Sequence, residues 1–163
     1  YTNEKSKKND LEIKNTEIFK MEKMKKILIP TDGSDCSLRA TTFAINFAKN
    51  CNAEIYAIYV VDTIILEELT RAIATKDVEK ELKEKGEHYL DYVVESAEKE
   101  GIKAEAILAK GEPHDQIVFF AKTKGIDMIV MGSYGRRGTK RILIGSVTSR
   151  VIEYAPCPVL VVK

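Results

Sequence analysis

Three glycines and two hydroxyls near the end of the chain are spaced like a phosphate cradle. Gly132, Gly135 and Gly145 lie in a segment, 132–146, that runs from an apolar stretch to the start of a helical one. Glycine has no Cβ, so the backbone N–H groups beside it can approach an oxyanion closely. Gly145-Ser146 opens the last helical segment. The first N–H groups of a helix lack intrahelical acceptors and carry the positive end of its dipole, which favours an anion. Ser146 and Thr148 add hydroxyl donors, and Arg136, Arg137, Lys140 and Arg141 place four cations within six residues, an attraction for polyphosphate. The same residues also read as turn-shaping glycines beside a solvated cationic face, and spacing alone leaves both readings open. The segment is neither a Walker A loop nor a dinucleotide fingerprint, because no GKS/T follows it and no GxGxxG occurs in the chain.

A second group lies near the start, in Pro30-Thr31-Asp32-Gly33-Ser34-Asp35. A carboxylate at Asp32 suits a ribose hydroxyl or an adenine amino group, and equally suits satisfying its own turn. No carboxylate or Gln is evidently dedicated to activating water, so catalytic residues are not assigned. His114, just after Pro113, reads as a helix-start residue rather than a base, and His88 sits in a charged helix without a partner. Three cysteines, Cys36, Cys51 and Cys157, show no CxxC spacing, and with two histidines they make no zinc signature. No metal-ligating residues are assigned. Reduced thiols of this kind fit a cytoplasmic protein.

These groups need elements to hold them. Ile27-Leu28-Ile29, ending at Pro30, is an apolar run typical of a strand buried on both faces. Ser34 or Asp35 can cap a helix in which Ala40, Phe43, Ala44, Phe47 and Ala48 form one apolar face. Glu54–Val61 reads as a second strand, followed by a mixed linker. The segment 76–100 reads as a long charged helix with Val78, Leu82, Tyr89, Val93 and Ala97 inward. Lys103–Leu108 suggests an edge strand. Pro113 to Gly125 encloses a helix with Ile117, Phe120 and Ala121 inward. Asp127–Met131 is a fourth strand, Gly145–Tyr154 a helix and Pro158–Val162 a fifth strand.

Strands alternating with helices specify an α/β fold with a doubly wound parallel sheet. In the order 3-2-1-4-5, the loops after strands one and four face each other at the point where strand order reverses, the usual place for a ligand. The chain of 163 residues is 44% hydrophobic and 31% charged, an ordinary globular composition for one domain. Its formal charge is +1, from 26 basic and 25 acidic residues, which argues against nucleic-acid binding through bulk charge. No stretch approaches the ~18–20 apolar residues of a membrane helix. Residues 1–23 follow neither helical nor strand periodicity and read as an N-terminal extension, a flexible or docking arm, ahead of a domain at 24–163.

The run Lys25-Lys26-Ile27-Leu28-Ile29-Pro30-Thr31-Asp32-Gly33-Ser34 resembles the opening of the universal stress protein family. The segments Met131-Gly132-Ser133-Tyr134-Gly135, Gly145-Ser146-Val147-Thr148 and Cys157-Pro158-Val159-Leu160-Val161-Val162 are similar to its close. Gly132, Gly135, Gly145 and Ser146 reproduce the G-x2-G-x9-G-[S/T] motif of the family's ATP-binding branch. The resemblance implies a Rossmann-like five-stranded parallel sheet in the order 3-2-1-4-5, helices on both faces, and an ATP site between strands one and four. On that reading Pro30, Thr31 and Asp32 line the adenosine end and Val60 closes over adenine. Met131 and Gly132 border the ribose and first phosphate, and Gly135, Arg136, Gly145, Ser146, Val147 and Thr148 lie along the remaining phosphates. Mg2+ or Mn2+ is held mainly by the phosphates, since no carboxylate cluster is available to cage it. The family forms homodimers, commonly through the last strand.

Two departures stand out: Tyr134 replaces a His common in relatives, and residues 1–23 have no counterpart. The expected function is an ATP-binding regulatory stress-response protein, a nucleotide-dependent switch that hydrolyses ATP slowly or with a partner, if at all. An unidentified protein partner would read that state. An ATP-hydrolysing enzyme and a structural dimer without nucleotide are the alternatives.

Overall fold

The computed structural model describes residues 24–73, 77–135 and 144–163. The elements follow in the order β1 (Lys26–Pro30), α1 (Asp35–Cys51), β2 (Glu54–Asp62), α2 (Thr63–Ile73), α3 (Val78–Lys99), β3 (Ala104–Gly111), α4 (Pro113–Lys124), β4 (Met128–Gly132), α5 (Ser146–Tyr154) and β5 (Val159–Val162). The strands form one parallel sheet in the order β3-β2-β1-β4-β5, as the alternating pattern and the resemblance led one to expect. At the amino end of the sheet, Asp127 accepts from the Lys25 and Lys26 N–H groups at 2.8 and 2.9 Å, fixing β4 beside β1.

Because side chains alternate across a strand, the central strands divide between two cores. Ile27, Ile29, Ile55, Ala57, Met128 and Val130 point to one side, against Ala40, Ala44, Ile45 and Ala48 of α1 and Leu90, Val93 and Ala97 of α3. Leu28, Tyr56, Ile58, Ile129 and Met131 point to the other, against Ile117 and Ala121 of α4 and Val151 of α5. Helices therefore cover both faces. Each fully buried Ile or Val here contributes about 1.5–3 kcal/mol through removal from water.

Local chemistry sets the helix ends. Ser34 caps α1, its hydroxyl accepting from the Ser37 N–H at 3.3 Å. Pro113 begins α4, and Gly125 ends it at φ 61°, donating its N–H to the Ala121 carbonyl.

Three sequence expectations need correction. The segment after β2 is not a linker: β2 runs on to Asp62, whose Oδ1 accepts from the Ile64 and Ile65 N–H groups at 2.9 and 3.3 Å and starts α2. Phe43 does not face the core. It is 42% exposed and stacks on Phe47, while Ile45 takes the inward place. On α3 the buried stripe runs through Leu90, with Leu82 and Tyr89 half-buried at its margin.

Candidate functional site

The chain leaves β1 for β2 on one side, and β4 lies on the other. Strand order reverses at this pair, so their carboxyl ends open a crevice. Pro30 and Thr31 are buried at the end of β1. The Thr31 N–H donates to the Ile58 carbonyl at 2.9 Å, extending the ladder by one residue. Beyond it the loop closes on itself. The Thr31 hydroxyl donates to the Ser37 hydroxyl at 3.4 Å and accepts from the Gly33 N–H at 3.3 Å. Asp32 Oδ1 accepts from the Ser34 N–H at 3.0 Å, so one carboxylate oxygen serves the turn.

The loop after β4 meets this turn directly. A Cβ on Gly135 would collide with Asp32 Oδ2, which places the two loops in van der Waals contact. Gly132 is a glycine for a different reason. A Cβ there would stand 2.8 Å from the Cys36 carbonyl carbon and 3.0 Å from the Ser37 nitrogen, so β4 and the first turn of α1 pack together because that side chain is missing.

Helix α5 completes the rim. The Gly145 N–H donates to the Ser133 carbonyl at 2.7 Å and holds the helix start against the end of β4. Gly145 is the N-cap residue and offers no side-chain acceptor to the first turn. The Ser149 N–H is paired with the Gly145 carbonyl at 2.9 Å, which leaves the N–H groups of Ser146, Val147 and Thr148 as the positive end of the helix. Thr148 is buried, and its hydroxyl donates to the Gly132 carbonyl at 2.9 Å. In this arrangement it ties α5 to β4.

The structure thus brings Pro30, Thr31, Asp32, Gly132, Gly135, Gly145, Ser146 and Thr148 around the β1, β4 and α5 ends. Ser146 is exposed there, while Val147 is half-buried against the α4/α5 core. Val60, half-buried near the end of β2, and Met131, buried in β4, both pack on that same core beneath the crevice. Arg136, Arg137, Lys140 and Arg141 lie outside the described residues.

Cys36, Arg39 and Ser133, to which sequence reasoning assigned no role in the site, also meet here. Cys36, fully buried in the first turn of α1, receives the Arg39 Nη2 N–H at 3.0 Å, and its Sγ lies 3.9 Å from the Ser133 hydroxyl. Arg39 also donates through Nε to the Lys163 carbonyl at 2.9 Å. The Cys36 side chain raises the Tyr134 phenol pKa above the ordinary value, against the lowering influence of Arg39. No short-range sequence signal marks these contacts.

On α4, His114 is buried, its Nε2 3.1 Å from Asp115 Oδ1 and 3.9 Å from Glu112 Oε2. These three could in principle hold a cation, but Arg150 Nη1 stands 3.4 Å from the same nitrogen, and a guanidinium there opposes a metal ion by charge.

A family model described as the universal stress protein family matches residues 23–163. The universal stress protein MJ0531 of Methanocaldococcus jannaschii is 50% identical over 139 residues, covering 85% of this chain and 82% of the relative. The solved structure of MJ0577, from the same organism, superposes with a TM-score of 0.75 at 34% identity, over 86% of this chain and 96% of that one. A universal stress protein from Archaeoglobus fulgidus, solved in complex with dAMP, superposes with a TM-score of 0.63 at 28% identity, over 86% and 98%. No helix among the described residues is long and apolar enough to cross a membrane.

Proposed function

The chain belongs to the universal stress protein family, and we propose that it binds ATP in the crevice between β1, β4 and the start of α5. The observation that carries this reading is the N-terminus of α5. Its first N–H groups have no capping side chain, and the helix is pinned by the bond from Gly145 to Ser133 beside the contact of Gly135 with Asp32. Free N–H groups at the positive end of a helix, next to small residues and a hydroxyl, are suited to phosphate oxygens. Ser146 supplies the hydroxyl. The dAMP bound by the Archaeoglobus fulgidus relative supports a nucleoside phosphate as the ligand class.

On this reading Gly135, Gly145, Ser146 and the backbone of Val147 and Thr148 serve the phosphates, with Arg136 adding charge. Pro30, Thr31, Asp32, Val60 and Met131 shape the nucleoside end. Thr148 acts on the phosphates indirectly, by holding α5 to Gly132. Mg2+ or Mn2+ would neutralise phosphate charge, and the phosphates themselves would be its main ligands. Residues 24–163 form the binding domain and 1–23 an appended arm. The protein acts as a nucleotide-dependent regulator in the cytoplasm, with slow or partner-dependent hydrolysis at most.

We further propose a homodimer through β5. Val159, Leu160, Val161 and Val162 are half-buried on a strand whose outer edge pairs with no other described strand. Phe43 on α1 and Ile152 and Tyr154 on α5 are exposed, and both helices pack against β5. Such an edge is a template for a second copy.

The test of nucleotide binding is isothermal titration of the full chain with ATP and with adenosine, alongside mass spectrometry of nucleotide released on denaturation. ATP bound more tightly than adenosine is expected. Equal affinity for both, or for neither, would overturn the phosphate assignment.

A further inference from the structure

We infer that Tyr89 is a positioning residue for the nucleoside end of the crevice: its ring, carried by α3, lies on the bare backbone of Gly33 and fixes where the turn after β1 presents Asp32. The inference rests on the ATP reading given above and adds a residue to it.

Two tyrosines and two glycines make the contact. A Cβ on Gly33 would fall on the Tyr89 ring, with Cδ1 of that ring 2.6 Å away. Gly33 also stands at φ 75°, a left-handed conformation that side chains resist. Space and backbone therefore both call for glycine. Tyr89 is backed in turn by Tyr59 of β2, the ring centroids 6.2 Å apart and the planes inclined at 33°. Tyr59 is buried against Gly86, one turn before Tyr89 on α3, where a Cβ would collide with its ring. The pair of rings thus fills the space between α3, β2 and the turn, and a missing side chain bounds it at each end.

The turn beneath Tyr89 is the one that carries Asp32. Its ends are anchored, by the Thr31 N–H on the Ile58 carbonyl and by the Ser34 cap of α1. Between them the Gly33 N–H donates to the Thr31 hydroxyl at 3.3 Å and the Ser34 N–H to Asp32 Oδ1 at 3.0 Å. These bonds set the shape of the turn, and packing sets its place. Asp32 Oδ2 meets Gly135 of the loop after β4, and Gly33 meets the Tyr89 ring. With the ring removed, one of those two contacts is gone and the turn gains room. Preorganisation of the Asp32 carboxylate then falls, and ordering it on binding costs affinity. The phosphate end is held separately, by the Gly145–Ser133 and Thr148–Gly132 bonds.

The experiment titrates wild type, Tyr89→Ala and Tyr89→Phe with ATP and with adenosine, at a temperature where thermal melting shows each variant folded. Tyr89→Ala should weaken both ligands by the same factor, about fivefold, the cost of ordering a loosened loop. Tyr89→Phe keeps the ring and should bind both more tightly than Tyr89→Ala. Gly33→Ala, made alone and together with Tyr89→Ala, tests the contact itself. Its fall in melting temperature should be smaller in the Tyr89→Ala background, where the ring it strikes is absent. ATP affinity unaltered in Tyr89→Ala, or a loss confined to ATP with adenosine intact, overturns the inference. So does equal loss in the Ala and Phe variants, or a Gly33→Ala melting shift of the same size in both backgrounds. A wild-type chain that binds ATP no better than adenosine overturns the crevice reading itself, a result distinct from all of these.

Discussion

Replacing Gly132 by alanine tests the closest approach in the fold. The new Cβ would stand 2.8 Å from the Cys36 carbonyl carbon, 2.9 Å from Cys36 Cβ and 3.0 Å from the Ser37 nitrogen. Carbon atoms in contact prefer about 3.5–4.0 Å, so β4 and α1 would have to separate by more than half an ångström. Two of the three opposing atoms are backbone, and that turn is itself held by the Ser34 cap and the bond between the Thr31 and Ser37 hydroxyls. No flexible side chain can swing aside. Overpacking of this kind costs about 1–3 kcal/mol, and in a chain of this size each kcal/mol lowers the melting temperature by about 2–4 °C. A fall of about 2–12 °C in calorimetry is expected, with weaker ATP binding at temperatures where the variant is folded, because Gly132 carries the carbonyl that holds Thr148. Gly145→Ala provides the comparison. Its nearest atom is at 3.3 Å and its φ of −72° suits any residue, so its melting point should fall less. An unshifted melting curve for Gly132→Ala, or a larger fall for Gly145→Ala, would refute the close-packing account.

Thr148→Val keeps the shape of a buried side chain but leaves the Gly132 carbonyl without its donor; a loss of about 1–3 kcal/mol in denaturant unfolding is expected. If the proposed dimer forms through β5, Leu160→Lys combined with Val162→Lys should give monomer in sedimentation velocity, and an unchanged dimer mass at micromolar concentration would place the interface elsewhere. Glu79 is held at a pKa of about 2 by its hydrogen bond to Lys110 and then by that to Lys83, against an ordinary value of 4.5. Its folded pKa is depressed, so its contribution to stability is present above pH 4.5 and is lost as pH falls towards 2. Glu79→Gln should therefore differ from wild type at neutral pH and converge with it by about pH 2, while NMR should show the carboxyl titrating near that low value.

How much of this was legible in the sequence follows from the range of each interaction. Ile27-Leu28-Ile29 and Met128-Ile129-Val130 announce doubly buried strands because consecutive residues, and not alternate ones, are apolar, and that is a local fact. Pro113 and Gly125 mark α4 for the same reason. The stretch Thr63–Ile73 does not announce a helix, since Ile64-Ile65-Leu66 at its start blurs the helical spacing of the later apolar residues. What makes it one is the Asp62 carboxylate on the Ile64 N–H, which the strand pattern hides. Phe43 fits a helical stripe as well as Ile45 does, and the geometry of α1 against the sheet decides between them. Within the crevice, the glycines could be named but not their separate duties. Gly132 is a packing glycine against α1, and Gly135 lies under Asp32. The meeting of Ser133 with Cys36 joins segments far apart in sequence, and no spacing rule reaches it.

The two borders of the sheet are unlike. On β3, Glu105 pairs with Lys124 of α4 at 3.6 Å and Lys110 pairs with Glu79 of α3 at 2.8 Å, so charged side chains are strung to helices on both faces. On β5 the border is valine and leucine. Two copies joined at β5 would bury both apolar borders and turn both charged ones outward. Growth would then terminate after one pairing, and an assembly whose strands could otherwise seed a filament would be self-limiting through the placement of a few lysines and glutamates.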